Sequence, residues 1–123
     1  MPASNFMACV LLVDDEPYVT DALSRNLSGH GCHVLKASSA ADALRMLEQR
    51  AVDVVVSDEQ MPGVPGSEFL STVRRRFPDT IRMILSGQAT VAAAVRAINE
   101  GEVHRFFLKP CNPTDMILRS ARL

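Results

Sequence analysis

Short apolar runs alternate with segments of helical periodicity along the whole chain, and this alternation is the feature that most constrains the fold. Five apolar runs are each followed by a stretch in which apolar residues recur every three or four positions. This arrangement is typical of βα units, which build a mostly parallel sheet covered by helices. We therefore predict an α/β fold whose five strands lie at about 8–13, 32–37, 52–57, 81–85 and 103–108.

Signals for helix ends fall between these runs. Pro17 suits the first turn of a helix that should stop near Gly29. Either Ser38 or Ser39 is expected to cap the second helix, and a third should begin at about Ser67. Two further helices are expected at 90–99 and from about 113 to the end of the chain.

The bulk properties indicate one compact domain. With 123 residues, of which 47% are hydrophobic, the chain can form a single core. We expect a tail at 1–7 and a domain at 8–123, and because the last residues still predict helix, we expect the chain to be part of a longer protein. The net charge is −1 and only Arg74-Arg75-Arg76 form a basic run, which we place on the solvated last turn of a helix. Direct binding to nucleic acid is therefore not expected.

The cysteines and the hydropathy indicate a cytoplasmic protein. Cys9, Cys32 and Cys111 occur singly and are odd in number, which favours reduced thiols. The histidines have no metal-ligand spacing with them. No window approaches the roughly 18 apolar residues of a membrane span, and the first residues do not resemble a signal peptide. We expect no contact with a membrane.

Polar residues end four of the five predicted strands. They are Asp14-Asp15, Asp58, Ser86 and Lys109, whereas the second strand ends at Ala37. Right-handed crossovers leave few topologies, and in the flavodoxin-like strand order 2-1-3-4-5 the second strand lies at an edge and the third is central. The functional crevice of such a three-layer fold lies beyond the strand carboxyl ends. The polar residues should therefore cluster in that crevice.

The chemistry of this set suits a divalent metal and a phosphoryl group. Neighbouring carboxylates repel one another unless a cation is present, and Mg²⁺ accepts a few carboxylates together with water and phosphate oxygens. Asp58, at the mouth of the central strand, is the candidate nucleophile because a carboxylate can form an aspartyl phosphate. Lys109 could pair with one phosphoryl oxygen, and Ser86 could donate a hydrogen bond to another.

Each motif alone also has a simpler interpretation. Asp14-Asp15 before Pro17 could only mark a helix start, and Lys109-Pro110 could only end a strand. The occurrence of all four polar strand ends in one chain favours the functional interpretation.

The same residues resemble the signature of a known family. Asp14-Asp15, Asp58 followed by Met61-Pro62, Ser86-Gly87 and Lys109-Pro110 are similar to the motifs of response regulator receiver domains, the CheY-like superfamily of two-component signalling. The resemblance covers residues 8–123. It implies that Asp58 accepts a phosphoryl group from a histidine kinase, a phosphotransfer protein or acetyl phosphate. It also implies a signalling phosphoacceptor rather than an enzyme, one that catalyses only its own phosphorylation and slow autodephosphorylation.

The resemblance also implies roles for individual residues. Asp15 and Asp58 would bind Mg²⁺, or Mn²⁺ in its place, directly; Asp14 would act through water, and the backbone carbonyl of Gln60 would complete the protein ligands. Ser86 and Lys109 would contact the phosphoryl group. The peptide between Lys109 and Pro110 is expected to be cis.

Two further sets of residues would tune and report the phosphoryl state. Ser86 would move toward the phosphate while Phe106 turns inward, as the switch of the fourth helix, fifth strand and fifth helix. Gln60 and Gln88 would flank the phosphoryl group, and because neither is a strong base, we expect a moderately long-lived phosphoryl state. Pro65 departs from the family, which often has Asp there.

The resemblance implies partners as well. An attached or separate output domain would respond to the switch, and a phosphorylation-dependent homodimer would also fit. The segment 98–106 is similar to receivers joined to enzymatic outputs such as HD-type phosphohydrolases or kinases.

Two other classes of protein stay open on the residues alone. A haloacid-dehalogenase-like phosphatase would want an acid two residues after the nucleophile, where this chain has Gln60. A flavodoxin-like cofactor binder would want a Ser/Thr/Gly-rich phosphate loop where this chain has Asp14-Asp15-Glu16. Beside the cofactor binder, a receiver that has lost its phosphorylation and only mediates contacts also stays open. Turnover of a phosphomonoester would favour the phosphatase. Failure to take up phosphate would favour the cofactor binder or the receiver that has lost its phosphorylation.

Overall fold

The structure is a computed structural model that describes residues 8–86 and 105–108. Five strands and three helices occur in these ranges. In chain order they are β1 (Cys9–Val13), α1 (Pro17–Gly29), β2 (His33–Ala37), α2 (Ala40–Gln49), β3 (Val54–Asp58), α3 (Gly66–Arg76), β4 (Ile81–Ser86) and β5 (Arg105–Leu108). The helices predicted at 90–99 and from 113 lie outside the described residues.

The strands form one parallel sheet in the order β2-β1-β3-β4-β5, which confirms the predicted topology. β3 lies between β1 and β4, and all five of its residues are buried. That burial explains its run of valines, since a central parallel strand is covered on both faces.

The third strand differs from its predicted bounds by two residues at its start. Pairing between β3 and β4 begins at Val54 and continues to Asp58, which pairs with Leu85. Asp53, just before the strand, instead accepts a hydrogen bond from the Cys9 N–H through its side chain at 2.7 Å. Asp58 is therefore the last residue of β3 and does not follow it.

The helix ends follow their local signals. α1 begins at Pro17, as predicted. Of the two candidate caps of α2, Ser39 has the role: its hydroxyl oxygen accepts a hydrogen bond from the Asp42 N–H at 3.2 Å. α3 begins at Gly66, one residue before the predicted start, and its last turn carries the exposed triplet Arg74-Arg75-Arg76.

Apolar side chains fill both faces of the sheet, so the described part of the chain has three layers. On one face α2 and α3 pack against the strands through Ala43, Leu47, Phe69, Leu70 and Val73. On the other face α1 packs through Leu23 and Leu27. Each fully buried Leu or Phe contributes roughly 1.5–3 kcal/mol relative to an exposed one. None of the helices described is long and apolar enough to cross a membrane.

Candidate functional site

Asp14 directly follows β1 and is turned into the structure. Its N–H donates to the Ala37 carbonyl of the neighbouring strand at 3.1 Å, which extends the pairing by one residue. The Oδ1 atom accepts a hydrogen bond from the Glu16 N–H at 2.9 Å, and the residue is only 5% exposed. Asp15, the next residue, is exposed. Adjacent residues at a strand end point in different directions, which explains why one carboxylate is buried and the other is not.

Asp58 ends the central strand and is also buried, with 3% of its surface exposed. Its carbonyl accepts a hydrogen bond from the Ser57 hydroxyl at 2.9 Å. The next residue, Glu59, donates its N–H to the Leu85 carbonyl of β4 at 3.3 Å. The backbone on both sides of Asp58 is therefore held by the sheet.

The two strand ends bring four carboxylates together. One oxygen atom each from Asp14, Asp15, Glu16 and Asp58 lies within 4.8 Å of one from each of the others. We call these four residues the acidic cluster. The sequence prediction named three of them and missed Glu16, although the run of three acids at 14–16 was a visible signal. Glu16 also accepts a hydrogen bond from the Tyr18 hydroxyl at 2.6 Å.

The acidic cluster has the donor set that a hard divalent cation requires. Carboxylates this close repel one another, and a cation between them would relieve that repulsion. Because every donor is an oxygen and one of the carboxylates is exposed, the cluster fits Mg²⁺ or Mn²⁺, which retain water ligands. Such a cation would be reached by solvent from the side of Asp15.

A cleft of about 440 Å³ adjoins the acidic cluster. Its lining consists of Asp15, Glu59, Gln60, Met61, Pro62 and Pro65. Gln60 is exposed in the loop between β3 and α3 and lines the same cleft as Asp15. The cleft therefore opens beside the acidic cluster at Asp15. The predicted role of the Gln60 carbonyl stays a prediction.

Two of the remaining predicted site residues, Ser86 and Phe106, lie on β4 and β5. Ser86 is the last residue of β4 and pairs in register with Leu108, while Phe106 pairs with Ile84. The backbones of Ser86 and Phe106 therefore lie on the strands predicted for them. Lys109, Pro110 and Gln88 lie outside the described residues, so their predicted roles stay predictions.

A comparison with family models identifies the family of this chain. The model of the response regulator receiver domain matches residues 10–121. The chain belongs to this family. As a response regulator receiver domain it is a phosphoacceptor module of two-component signalling.

Curated relatives are transcriptional regulators of greater length. The receiver domain is 39% identical over 114 residues to the hydrogenase transcriptional regulatory protein HoxA of Cupriavidus necator, and the match covers 93% of this chain and 23% of HoxA. It is 34% identical over 107 residues to the transcriptional regulatory protein GlrR of Escherichia coli, covering 87% of this chain and 24% of GlrR. The chain thus spans about a quarter of the length of these relatives.

Solved structures of receiver domains superimpose closely. The signal receiver domain of an HD domain-containing protein from Pseudomonas fluorescens matches with a TM-score of 0.90 at 29% identity, over 99% of this chain and 90% of that one. The beryllofluoride-activated receiver domain dimer of NtrC4 matches with a TM-score of 0.86 at 30% identity, over 94% and 95% of the two chains. Both therefore share the fold of this chain.

Proposed function

We propose that this receiver domain accepts a phosphoryl group on Asp58 from the phosphohistidine of a histidine kinase or phosphotransfer protein. The observation that carries the proposal is the position of Asp58: it is buried at the end of the central strand, with carboxylate oxygens of Asp14 and Asp15 within 4.8 Å. Asp58 thus lies where a bound cation and a phosphoryl group could meet, and its neighbours Asp15 and Glu59 line a cleft that opens to solvent.

In the proposed reaction a carboxylate oxygen of Asp58 attacks phosphorus. A P–O bond forms as the P–N bond of the phosphohistidine breaks, and the imidazole leaves with the electron pair and takes up a proton. Phosphoryl transfer depends mainly on positioning and charge neutralisation. A bound Mg²⁺ would neutralise charge on the phosphoryl oxygens. Asp15 and Asp58 would hold it directly, Asp14 through water and Gln60 through its carbonyl.

Residues at the ends of the next two strands would complete the site. Ser86 would donate a hydrogen bond to one phosphoryl oxygen, and Lys109 would pair with another. The position of Ser86, one residue beyond the strand partner of Asp58, supports this role. Movement of Ser86 with Phe106 would then alter the surface that includes β5, while Gln60 and Gln88 would set the lifetime of the phosphoryl group.

The wider role follows from the relatives. Because the chain spans about a quarter of the length of regulators such as HoxA and GlrR, we propose that 8–123 is a receiver domain that controls an attached or separate output domain in the cytoplasm. A homodimer that depends on phosphorylation also fits, since a beryllofluoride-activated dimer is known for the NtrC4 receiver. The receiver would catalyse no reaction other than its own phosphorylation and slow dephosphorylation.

Asp58→Asn tests the proposal directly. Wild type incubated with acetyl phosphate and Mg²⁺ should gain the mass of one phosphoryl group, whereas Asp58→Asn should gain none because an amide cannot form the acyl phosphate. Intact-mass spectrometry measures the gain. Asp79→Asn, an exposed aspartate outside the acidic cluster, is the matched control and should behave as wild type. Equal uptake by wild type and Asp58→Asn would refute the proposal.

A further inference from the structure

Glu59, the residue after Asp58, is buried although it carries a carboxylate, with 3% of its surface exposed. A buried carboxylate needs hydrogen-bond donors to offset its lost hydration. Ser67 supplies two: its backbone N–H donates to Oε1 at 2.8 Å, and its hydroxyl donates to Oε2 at 3.1 Å. The side chain therefore points toward α3, and Glu59 is not part of the acidic cluster.

Ser67 is the second residue of α3, where a backbone N–H has no partner within the helix. A Ser, Thr, Asp or Asn at the N-cap usually accepts such a bond. Here the N-cap is Pro65, which makes no side-chain capping bond. Glu59 accepts it from eight residues upstream, and its negative charge lies at the positive end of the helix dipole.

The backbone of Glu59 makes hydrogen bonds to the start of α3 and to the end of β4. Its carbonyl accepts a hydrogen bond from the Gly66 N–H at 2.9 Å, and its N–H donates to the Leu85 carbonyl at 3.3 Å. The start of α3 is packed so closely here that a Cβ atom on Gly66 would lie 2.1 Å from the carbonyl oxygen of Asp58. Glu59 thus connects the end of β3 to the start of α3 and the end of β4.

We infer that Glu59 is a positioning residue for phosphoryl transfer: its carboxylate, held by Ser67, fixes the peptide after Asp58 and so orients the Asp58 carboxylate and the Gln60 carbonyl. This inference rests on the proposed role of Asp58. The Glu59 carboxylate points toward α3 and does not act on the substrate itself, so its effect on Asp58 and Gln60 is geometric. Misplacement of a reacting group by about 1 Å can lower a rate by about a hundredfold.

Glu59→Ala and Glu59→Gln measure the contribution of the carboxylate. Glu59→Ala should slow the initial rate of phosphoryl uptake from acetyl phosphate by about tenfold to a hundredfold at saturating donor. Glu59→Gln should slow it less, because the amide oxygen still accepts from the Ser67 N–H and the amide N–H can donate to the Ser67 hydroxyl. The matched control is Glu68→Ala, which removes an exposed carboxylate from the first turn of the same helix and should leave the rate unchanged.

A double variant separates positioning from helix capping. Pro65 has the extended backbone that an N-cap serine adopts, with φ −61° and ψ 151°. Glu59→Ala combined with Pro65→Ser should regain thermal stability, since the serine caps α3, but should still take up phosphate slowly, since the loop is no longer tied to Ser67. Recovery of the full uptake rate in the double variant would overturn the inference and leave Glu59 as a helix cap only.

Two further measurements keep the outcome clear. If Glu59→Ala does not fold by circular dichroism, Ser67→Ala decides, because it removes only the bond to Oε2 and should slow phosphoryl uptake less. An unchanged rate contradicts the inference.

If wild type takes up no phosphate, the proposed function fails, and the inference is then judged by Mg²⁺ titration of the Gln60 amide resonance. The double variant should bind Mg²⁺ about tenfold more weakly than Glu68→Ala, and equal affinities would refute the inference.

Discussion

Burial distinguishes residues of the same type in this receiver domain. Asp14 and Asp58 are almost fully buried and Asp15 is exposed, although all three lie at the same edge of the sheet. Burial of a carboxylate costs free energy unless donors or a cation offset it. The hydrogen bond from the Glu16 N–H offsets part of this cost for Asp14, and a cation bound at the acidic cluster would offset more of it.

The two described cysteines show a weaker form of the same effect. Burial raises the pKa of the Cys9 thiol, the Asp53 carboxylate raises it further, and Arg50 lowers it. Burial alone raises the pKa of the Cys32 thiol. Since the thiolate is the reactive form, both thiols should react slowly with iodoacetamide near neutral pH.

Asp53→Asn should make Cys9 more reactive. The substitution removes the negative charge that disfavours the thiolate, so the pKa of Cys9 should fall and its alkylation rate near pH 8 should rise, by at most about threefold because the site is partly solvated. Asparagine keeps an oxygen that can accept from the Cys9 N–H. Alkylation rates at several pH values, followed by peptide mass spectrometry, check this. Cys32 is the internal control; an equal increase there would indicate general loosening of the fold instead.

At the scale of the element, the connection between β3 and α3 departs most from what local signals indicate. Pro65 offers α3 no side-chain cap, and Glu59 reaches across from the end of β3 to supply one. By contrast, α2 is capped locally by Ser39. The two helices therefore start for different reasons, one set by neighbouring residues and the other by tertiary contact.

Ser39→Ala should destabilise the domain by about 1 kcal/mol, because the N–H of Asp42 loses its acceptor at the start of α2. Ser38→Ala is the matched control, since Ser38 is exposed and is not the capping residue; its effect should stay within about 0.5 kcal/mol. Urea unfolding of the three proteins measures both. Equal losses for the two serines would show that the cap at Ser39 contributes nothing specific.

At the scale of the whole molecule, the parallel sheet makes the site. Strands β1 and β3 are neighbours in the sheet, although their paired residues Val13 and Ser57 lie far apart in the sequence, and the carboxyl ends of the two strands meet at one edge. A cation bound there would stabilise only the folded chain, since the unfolded chain does not hold the acids together.

Mg²⁺ should therefore raise the free energy of unfolding. At a concentration 100 times its Kd the gain should be about 2.7 kcal/mol, measured by thermal or urea unfolding against NaCl of equal ionic strength. Asp15→Asn should lose most of this gain, and without Mg²⁺ it should be no less stable than wild type because it relieves repulsion in the acidic cluster. Asp79→Asn should keep the full gain. An equal loss in both variants would mean that the stabilisation does not come from the acidic cluster.

Much of this molecule could be predicted before its structure. The alternation of apolar runs and helical segments indicated the parallel sheet, and the described strand bounds differ from the predicted ones by no more than two residues at either end where both can be compared. The polar residues at the strand ends indicated the acidic cluster, because parallel strands place their carboxyl ends at one edge. These features depend on local periodicity and on a topology with few alternatives.

The tertiary structure alone decided the features that depend on distance and direction. It selected Ser39 over Ser38 as the cap of α2, added Glu16 to the acidic cluster, and showed that the carboxylate of Glu59 points toward α3. In the sequence, Glu59 is one more acid beside Asp58, and nothing in its neighbours gives the direction of its side chain. Residue types and their spacing are local properties of the chain, whereas the partner of a buried charge is set by which elements pack against it.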